Sequence, residues 1–343
     1  MPGALPKGGT GFPERGEVNE LADVWPALRS RILTPSVSAV RLSKRGFHVK
    51  DPDARDLLET IGRTFLAGYA RAARARTPGE VAEPLDKIPP RFRGFAYEGA
   101  AMGFAVVDAL SPGGGRRFTS FLAGPGADHI YMAYIGLGWA LARLPRFRWP
   151  AIELDPTLRW LVLDGYGFHQ AYFRTRRYVR DRFQEVDFTW PAGGWYAAHV
   201  LDQGVGRALW FVGGADPDVV VDLIEGFPSR RRADLFSGAA LAATYAGGAH
   251  EVELYGFWKR AGEFRPQVAQ GCAFAAEARR HAGLEVPQTE IAAQVFCGMT
   301  AEEAARIAIK NRPEAAPTGE MPAHEVWRQR IVGEFASLGR CEP

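Results

Sequence analysis

Residues 95–104 read FAYEGAAMGF, an apolar run with one carboxylate, Glu98, directly before Gly99. A similar phrase returns at residues 161–170 as LVLDGYGFHQ, and again at residues 235–244 as LFSGAALAAT, where the acid is absent. Segments that are apolar on all sides are typical of buried helices. A glycine inside a helix costs about 1 kcal/mol relative to alanine, so its recurrence there indicates a packing role. The three phrases predict an internal helical repeat.

Glycines recur along the chain in two sets. The first set is Gly68, Gly136, Gly204 and Gly271, separated by 68, 68 and 67 residues. The second set is Gly99, Gly165, Gly238 and Gly298. An arginine lies six residues before three members of the second set, as Arg93, Arg159 and Arg232. These agreements predict four units of about 67 residues, each with two long helices and a short connector helix.

The predicted fold class is therefore all-α, with tandem helix-pair repeats arranged as an α/α toroid or as an open solenoid. A toroid would enclose a central cavity, whereas a solenoid would offer a concave groove. The segment ADPDVVVDLIEGFP shows a connector helix most clearly, because Asp216 can cap it, Pro217 suits its first position and Gly226 can end it. The small residues Gly238, Ala242 and Ala246 would form one smooth helix face that a neighbouring helix can approach closely.

The chain is expected to consist of three parts, of which the first is largely disordered. Residues 1–34 are predicted to be a disordered lead with a short N-terminal helix, and residues 35–310 a single α-helical repeat domain. Residues 311–343 are predicted to be a Pro-rich linker and a C-terminal helix, at about 325–338. At the start of the repeat domain, the alternating pattern VSAVRLSKRGFHV (residues 37–49) indicates a small β-hairpin.

The composition is that of a soluble globular protein, with 47% hydrophobic and 24% charged residues. The net charge is only +3, and the arginines near residues 174–177 and 230–232 fit solvated loop faces better than a nucleic-acid surface. Three cysteines without CxxC spacing argue against a disulfide framework and favour a cytoplasmic location. The start of the chain has no apolar core of a signal peptide, and no apolar run reaches the roughly 20 residues of a membrane span.

The sequence contains no recognisable metal-binding or cofactor-binding motif, so no metal and no cofactor are expected. The seven histidines are scattered without HExxH or Cys/His spacing, and His169 is interpreted as a histidine of the core or its rim. There is no GxSxG motif for a nucleophile elbow. The glycines of GLGWALA and GVGRALW have no preceding strand, so they are not dinucleotide-binding fingerprints.

Two acids are the candidate catalytic residues. Glu98 and Asp164 occupy the same place in units one and two, where units three and four have Ser237 and Cys297. Burial in an apolar helix would raise the pKa of a carboxyl and keep a neutral acid ready to donate a proton. The competing interpretation is structural: salt bridges with the arginines that recur in register, Arg93 and Arg159.

Aromatic residues crowd the glycine-bearing helices. The candidate substrate-binding residues are Tyr97, Tyr134, Trp139, Tyr166, Phe168, Trp210 and Phe236. Core packing accounts for many such residues, but an aromatic-lined pocket for a long apolar ligand would account for their position beside gaps left by glycine.

Several long phrases resemble one known family. FRGFAYEGAAM, YIGLGWALARL, LRWLVLDGYGFHQAYF, GVGRALWF and DLFSGAALAATYAGG are similar to the UnbL-like family, domain of unknown function 1702, over about Val37 to Gly283. The resemblance implies a role in natural-product biosynthesis beside enediyne polyketide synthases, such as the conversion of a linear polyene into an enediyne core. The family supplies no catalytic motif that could be carried over to this chain.

Three functions are compatible with these patterns. The first is a cofactor-independent enzyme, or the partner of a polyketide-pathway or redox enzyme, that binds a hydrophobic polyene and promotes its modification or cyclisation. The second is an acid-initiated cyclase of polyenes or isoprenoids, although no DDxxD-type run is present. The third is a non-catalytic carrier or scaffold. A sealed pocket that contains a carboxylate would favour chemistry, and a shallow polar groove would favour a scaffold.

Overall fold

The computed structural model describes residues 29–112, 114–185, 188, 194–314 and 321–339. All regular secondary structure in these ranges is helical, which confirms the all-α class. Residues 29–33 are helical, whereas the lead at residues 1–28 lies outside the described ranges. No helix in the described part of the chain combines the length and apolar character needed to cross a membrane.

The α-helices from residue 42 onward are numbered in chain order. The first eight are α1 (Leu42–Arg45), α2 (Pro52–Arg74), α3 (Ala82–Asp86), α4 (Pro90–Leu110), α5 (Arg117–Leu122), α6 (Ile130–Arg143), α7 (Leu161–Phe173) and α8 (Tyr196–Val212). They are followed by α9 (Pro217–Glu225), α10 (Ser229–Ala246), α11 (Glu251–Ala261), α12 (Arg265–His281), α13 (Pro287–Phe296), α14 (Ala301–Lys310) and α15 (Ala323–Ser337). Short 3₁₀-helices span Val37–Val40, Pro78–Val81, Ala127–His129, Arg146–Arg148, Leu158–Trp160 and Gly262–Phe264, and Arg176–Arg180 forms a π-helical turn.

One series of helices forms the body of the protein. Helices α2, α4, α6, α7, α8, α10, α12 and α14 pack in that order, each against the next. The remaining helices connect the members of the series or cover their ends. The arrangement of the series as four units in a toroid or solenoid stays a prediction.

Glycine allows the helices of this series to touch backbone to backbone. At ten glycines the atom nearest to an added methyl group would be a main-chain carbonyl oxygen of a neighbouring helix, which the methyl group would overlap. These are Gly68, Gly99, Gly136, Gly138, Gly165, Gly167, Gly204, Gly206, Gly238 and Gly271. Contacts between Cα–H groups and carbonyl oxygens at such crossings contribute about 0.5–1 kcal/mol each. The whole first set of glycines predicted from the sequence lies at these crossings.

Pairs of glycines two residues apart place one helix between two neighbours. In α7, Gly165 contacts the carbonyl of Ile135 in α6, and Gly167 contacts that of Leu201 in α8. Residues i and i+2 of an α-helix project about 200° apart, so the pair serves opposite faces. Helices α6 and α8 carry the same pairs, at residues 136 and 138 and at residues 204 and 206. This arrangement explains why these helices are apolar on all sides.

The predicted connector helix is confirmed. Helix α9 begins at Pro217, and the side chain of its N-cap Asp216 accepts hydrogen bonds from the backbone N–H groups of residues 218 and 219. The helix ends before Gly226.

Two local predictions are wrong. Residues 37–49 form the 3₁₀-helix Val37–Val40 and α1, not a β-hairpin, because these turns bring Val40 onto Gly62 of α2. In the fourth predicted unit, Cys297 and Gly298 follow the end of α13, and Gly298 has φ 65°, so it is a turn glycine and not a helix-packing glycine.

Buried ion pairs join helices that are distant in sequence. Arg231 is buried in α10 and donates two hydrogen bonds to Asp202 of α8, at 2.6 and 2.8 Å, so this arginine does not belong to a solvated loop face as predicted. Arg328 of α15 pairs with Asp234 of α10 at 2.8 Å. The C-terminal helix therefore packs on the same core as the main series, to which Trp327 also contributes.

We expect Gly238→Ala to lower the free energy of unfolding by about 1–3 kcal/mol, because the new methyl group would overlap the carbonyl oxygen of Gln203. Gly256→Ala is the matched control, since Gly256 lies in α11 and a methyl group there would have open space around it. That change should stabilise the protein by up to about 1 kcal/mol. Urea denaturation of both variants measures the difference, and equal effects would contradict the close helix contact.

Candidate functional site

A cavity of about 420 Å³ lies among helices α2, α4, α6, α7 and α8. Its wall is rich in aromatic residues, which include Phe65, Phe95, Trp139, Phe168, Tyr172 and Phe211. Each of these six side chains is buried. The size and apolar character are typical of small-molecule sites, which usually add a few polar groups that orient the ligand.

Glu98 of α4 is the buried acid of this cavity. The residue is 1% exposed and lines the cavity wall, and its Oε1 atom has no hydrogen-bond partner among the described residues. Burial raises the pKa of Glu98 to about 8, Arg207 opposes this rise and Asp164 adds to it. The carboxyl group is therefore mainly neutral at pH 7 and can donate a proton or a hydrogen bond.

Asp164 lies behind the wall of the main cavity and forms an ion pair. Nη1 of Arg207 donates a hydrogen bond to Oδ1 of Asp164 at 2.6 Å, and both side chains are buried. The pair borders a second, much smaller cavity of about 40 Å³. Burial raises the pKa of Asp164, and the guanidinium of Arg207 opposes that rise.

The charge distribution distinguishes the two acids. Arg207 interacts electrostatically with both Asp164 and Glu98, but a single guanidinium can neutralise only one carboxylate. Asp164 has the direct hydrogen bond, so it is the ionised partner. Glu98 has no such contact among the residues that the structure describes, and it stays protonated.

The arginines expected to pair with the acids point elsewhere. Nε of Arg93 donates to the carbonyl of Ile88 at 3.0 Å, and the guanidinium of Arg159 lies 5.8 Å from the ring centroid of Trp160. Arg93 lies in the first turn of α4 and Arg159 just before α7, where they contact the helix starts. The actual partner, Arg207, comes from the next helix of the series.

Of the seven aromatic candidates, only Trp139 and Phe168 line the main cavity. The others are Tyr97, Tyr134, Tyr166, Trp210 and Phe236. The Tyr97 hydroxyl donates to Asp86 at 2.8 Å, and the Tyr134 hydroxyl accepts from the backbone N–H of Asp155 at 3.1 Å. These polar atoms are satisfied within the fold, so the two rings serve its packing.

The remaining three aromatic candidates also pack within the core. The Tyr166 hydroxyl accepts a hydrogen bond from Gln170 at 3.0 Å. The indole N–H of Trp210 donates to the carbonyl of Gly247 at 2.9 Å. Phe236 stacks on Phe264 with 5.3 Å between ring centroids. The structure does not bring these three residues to the main cavity.

The sequence reasoning missed several residues of the wall. Phe65 and Phe95 lie one helical turn before Gly68 and Gly99, a spacing that could have indicated them. His169 also lines the cavity, where burial lowers its pKa to about 3, so the imidazole is neutral at pH 7.

Fold and site together define an all-α protein that holds an apolar cavity with a buried acid. Residues 24–335 match the model of a family described as "Protein of unknown function (DUF1702)", and the chain therefore belongs to this family. No curated protein and no solved structure matches the chain.

Glu98→Gln should remove one pH dependence of stability. The folded protein keeps the Glu98 proton up to about pH 8, whereas an unperturbed carboxyl releases it near pH 4.5. Between these values the folded state binds more protons, so stability is lost as pH rises, by at most ~1.4 kcal/mol per pH unit. Glutamine has no such proton. Urea denaturation across this pH window should show the wild type losing stability relative to the variant, and parallel pH profiles would show that Glu98 is not neutral.

A double-mutant cycle tests the shared arginine. In Asp164→Asn, Glu98 is the carboxylate that remains to neutralise Arg207, so Glu98→Gln should then cost about 1–3 kcal/mol more than in the wild type. Asp202→Asn is the control background, because Asp202 belongs to the separate buried pair with Arg231. Chemical denaturation at neutral pH measures all variants. If Glu98→Gln cost the same in the wild type, in Asp164→Asn and in Asp202→Asn, the two acids would not share Arg207.

Proposed function

We propose that this protein binds a long apolar polyene in the cavity of about 420 Å³, and that Glu98 acts on it as a cofactor-independent acid. The observation that carries the proposal is the position of Glu98. Its neutral carboxyl faces an aromatic cavity, and its Oε1 atom has no hydrogen-bond partner among the described residues. A buried polar group without a partner costs free energy, and a catalytic or ligand-binding role is one explanation for keeping it.

The chemistry can be completed with this one carboxyl. The acid proton would move to the polyene, where a C–H or O–H bond forms and a π bond is consumed. The resulting cation would be stabilised by the faces of aromatic rings such as Trp139 and Phe168. The Glu98 carboxylate would then take a proton from a neighbouring carbon, and a double bond would re-form there. The net result is an isomerised or cyclised product, with Glu98 returned to its neutral state.

The acid strength of Glu98 favours one kind of substrate. A carboxyl with a pKa of about 8 is a weaker acid than an ordinary glutamic acid, whose pKa is 4.5. Proton transfer is efficient when donor and acceptor are matched, and a bare alkene is a very weak base. A polyene conjugated to a carbonyl, as in polyketides, suits this acid better. The acid-initiated isoprenoid cyclase is for this reason the weaker alternative.

A carrier without chemistry is the second candidate. The observation that favours it is the weak basicity of His169, a buried histidine of the cavity wall, whose pKa is about 3. Glu98 therefore has no strong base beside it to relay its proton. A carrier needs only the apolar cavity and a hydrogen-bond donor.

The biosynthetic setting is part of the same proposal. The likeness to proteins found beside enediyne polyketide synthases suggests a polyene of that pathway as the ligand. A polyketide-pathway or redox enzyme as partner and a cytoplasmic location are the corresponding predictions. An aromatic cavity closed by helices on several sides supports ligand binding more than a scaffold with a shallow groove.

Extraction of the purified protein tests the proposal. Wild type and Glu98→Gln, produced in cells that make long polyenes, should each release an apolar molecule into organic solvent. Proton transfer within a substrate leaves its mass unchanged. The two molecules should therefore share one mass and differ in chromatographic retention and ultraviolet absorption, with the substrate on the variant and the product on the wild type.

Ala142→Trp is the control, because Ala142 is a half-buried residue of the cavity wall. The larger side chain should fill the cavity and abolish ligand retention without disturbing the core. Identical molecules on wild type and Glu98→Gln would favour the carrier. No bound molecule on the wild type, or equal retention by Ala142→Trp, would overturn the proposed function.

A further inference from the structure

One end of the main cavity is surrounded by arginines. Arg143, the last residue of α6, and Arg174, directly after α7, both line the cavity and are exposed to solvent. Arg45 of α1 lies nearby, with its guanidinium 5.0 Å from the ring centroid of Phe173, another wall residue. All three arginines act electrostatically on His169. We name Arg45, Arg143 and Arg174 the mouth arginines.

Nothing in the described part of the chain neutralises these charges. None of the three guanidinium groups forms an ion pair or a side-chain hydrogen bond there, and Nε of Arg45 is buried without a partner. Glu59 of α2 acts electrostatically on Tyr172 of the cavity wall. Its carboxylate already pairs with Arg63 at 3.6 Å and accepts a hydrogen bond from the backbone N–H of Leu42. The helix ends beside Arg143 and Arg174 carry only about half a negative charge each, too little for compensation.

A second donor at this end of the cavity also lacks an acceptor. Trp139 lies one helical turn before Arg143 on α6, and its ring centroid is 5.4 Å from that of His169. The residue is 7% exposed. Its indole Nε1 is buried without a hydrogen-bond partner among the described residues. An indole N–H can only donate, so this site is complete only when an acceptor is present.

We propose that the ligand is an amphiphile with an anionic head group, a carboxylate or a phosphate, that binds at Arg143 and Arg174 while its apolar chain extends towards Glu98. The inference rests on the proposed function and adds the ligand's chemical class and its orientation. Guanidinium groups bind carboxylate and phosphate oxygens by paired hydrogen bonds. The acid of the cavity wall, Glu98, is neutral and does not repel an anion.

The cavity volume sets the chain length of suitable probes. A cavity of about 420 Å³ holds roughly 14 non-hydrogen atoms, if each takes about the 30 Å³ that a water molecule occupies in the liquid. Dodecanoate has this size, and dodecyl phosphate has the same chain length with a larger head group. Dodecanol is the matched neutral compound, and dodecyltrimethylammonium is the matched cation.

Calorimetric titration of the full chain at low ionic strength, with each probe below its critical micelle concentration, tests the inference. We expect both anions to bind at least about tenfold more tightly than dodecanol, and the cation to bind most weakly. The stronger of the two anions identifies the head group. In Arg143→Gln/Arg174→Gln, the anions should bind no better than dodecanol, and dodecanol should bind as it does to the wild type.

Arg306→Gln is the control, because Arg306 is an exposed arginine of α14 outside the cavity wall. It should leave all affinities unchanged, and circular dichroism should show that every variant is folded. Equal affinity of the wild type for dodecanol and the anions would overturn this inference alone. A double variant that lost affinity for dodecanol and the anions to the same extent would likewise overturn it. Failure of every probe to bind the wild type would overturn the proposed function as well.

Discussion

The contact between a glycine of one helix and a backbone carbonyl of the next determines most of this structure. At such a crossing no side chain fits between the helices, so the larger side chains must lie one turn or more away. Phe65 and Phe95 follow this rule beside Gly68 and Gly99, and both reach the cavity wall. Each glycine costs about 1 kcal/mol of helix propensity relative to alanine. The cost is offset only if the tight packing that glycine permits is preserved along the whole series.

The same crossings hold the two acids in place. The carbonyl oxygens of Glu98 and Asp164 are the atoms that Gly136 and Gly204 approach, so the backbone of each acid is fixed by the following helix. Their side chains then meet different surroundings. Asp164 meets Arg207, whereas Glu98 meets aromatic rings and a cavity. Two chemically similar residues at similar positions thus have different protonation states, because only one of them has a guanidinium in direct contact.

The features that could be predicted from the sequence are those that depend on residues close together along the chain. The cap at Asp216 and the burial of Glu98 follow from local pattern alone. The pairing of Asp164 with Arg207 does not, because it depends on how two helices are rotated about their axes. The same rotation decides that Trp139 reaches the cavity while Tyr134 packs elsewhere. The alternation of apolar and polar residues over residues 37–49 is compatible with both a hairpin and short helical turns. The turns form because they pack Val40 on α2.

The cavity is electrically asymmetric, and its asymmetry depends on the protonation of Glu98. If Glu98 were ionised, its negative charge in a medium of low dielectric constant would act on any anion inside the cavity and would partly cancel the field of the mouth arginines. When Glu98 is neutral, the charged side chains that line the cavity are those of Arg143 and Arg174. The two features therefore act together: neutral Glu98 leaves the interior of the cavity without a negative charge, and the mouth arginines orient an anionic ligand.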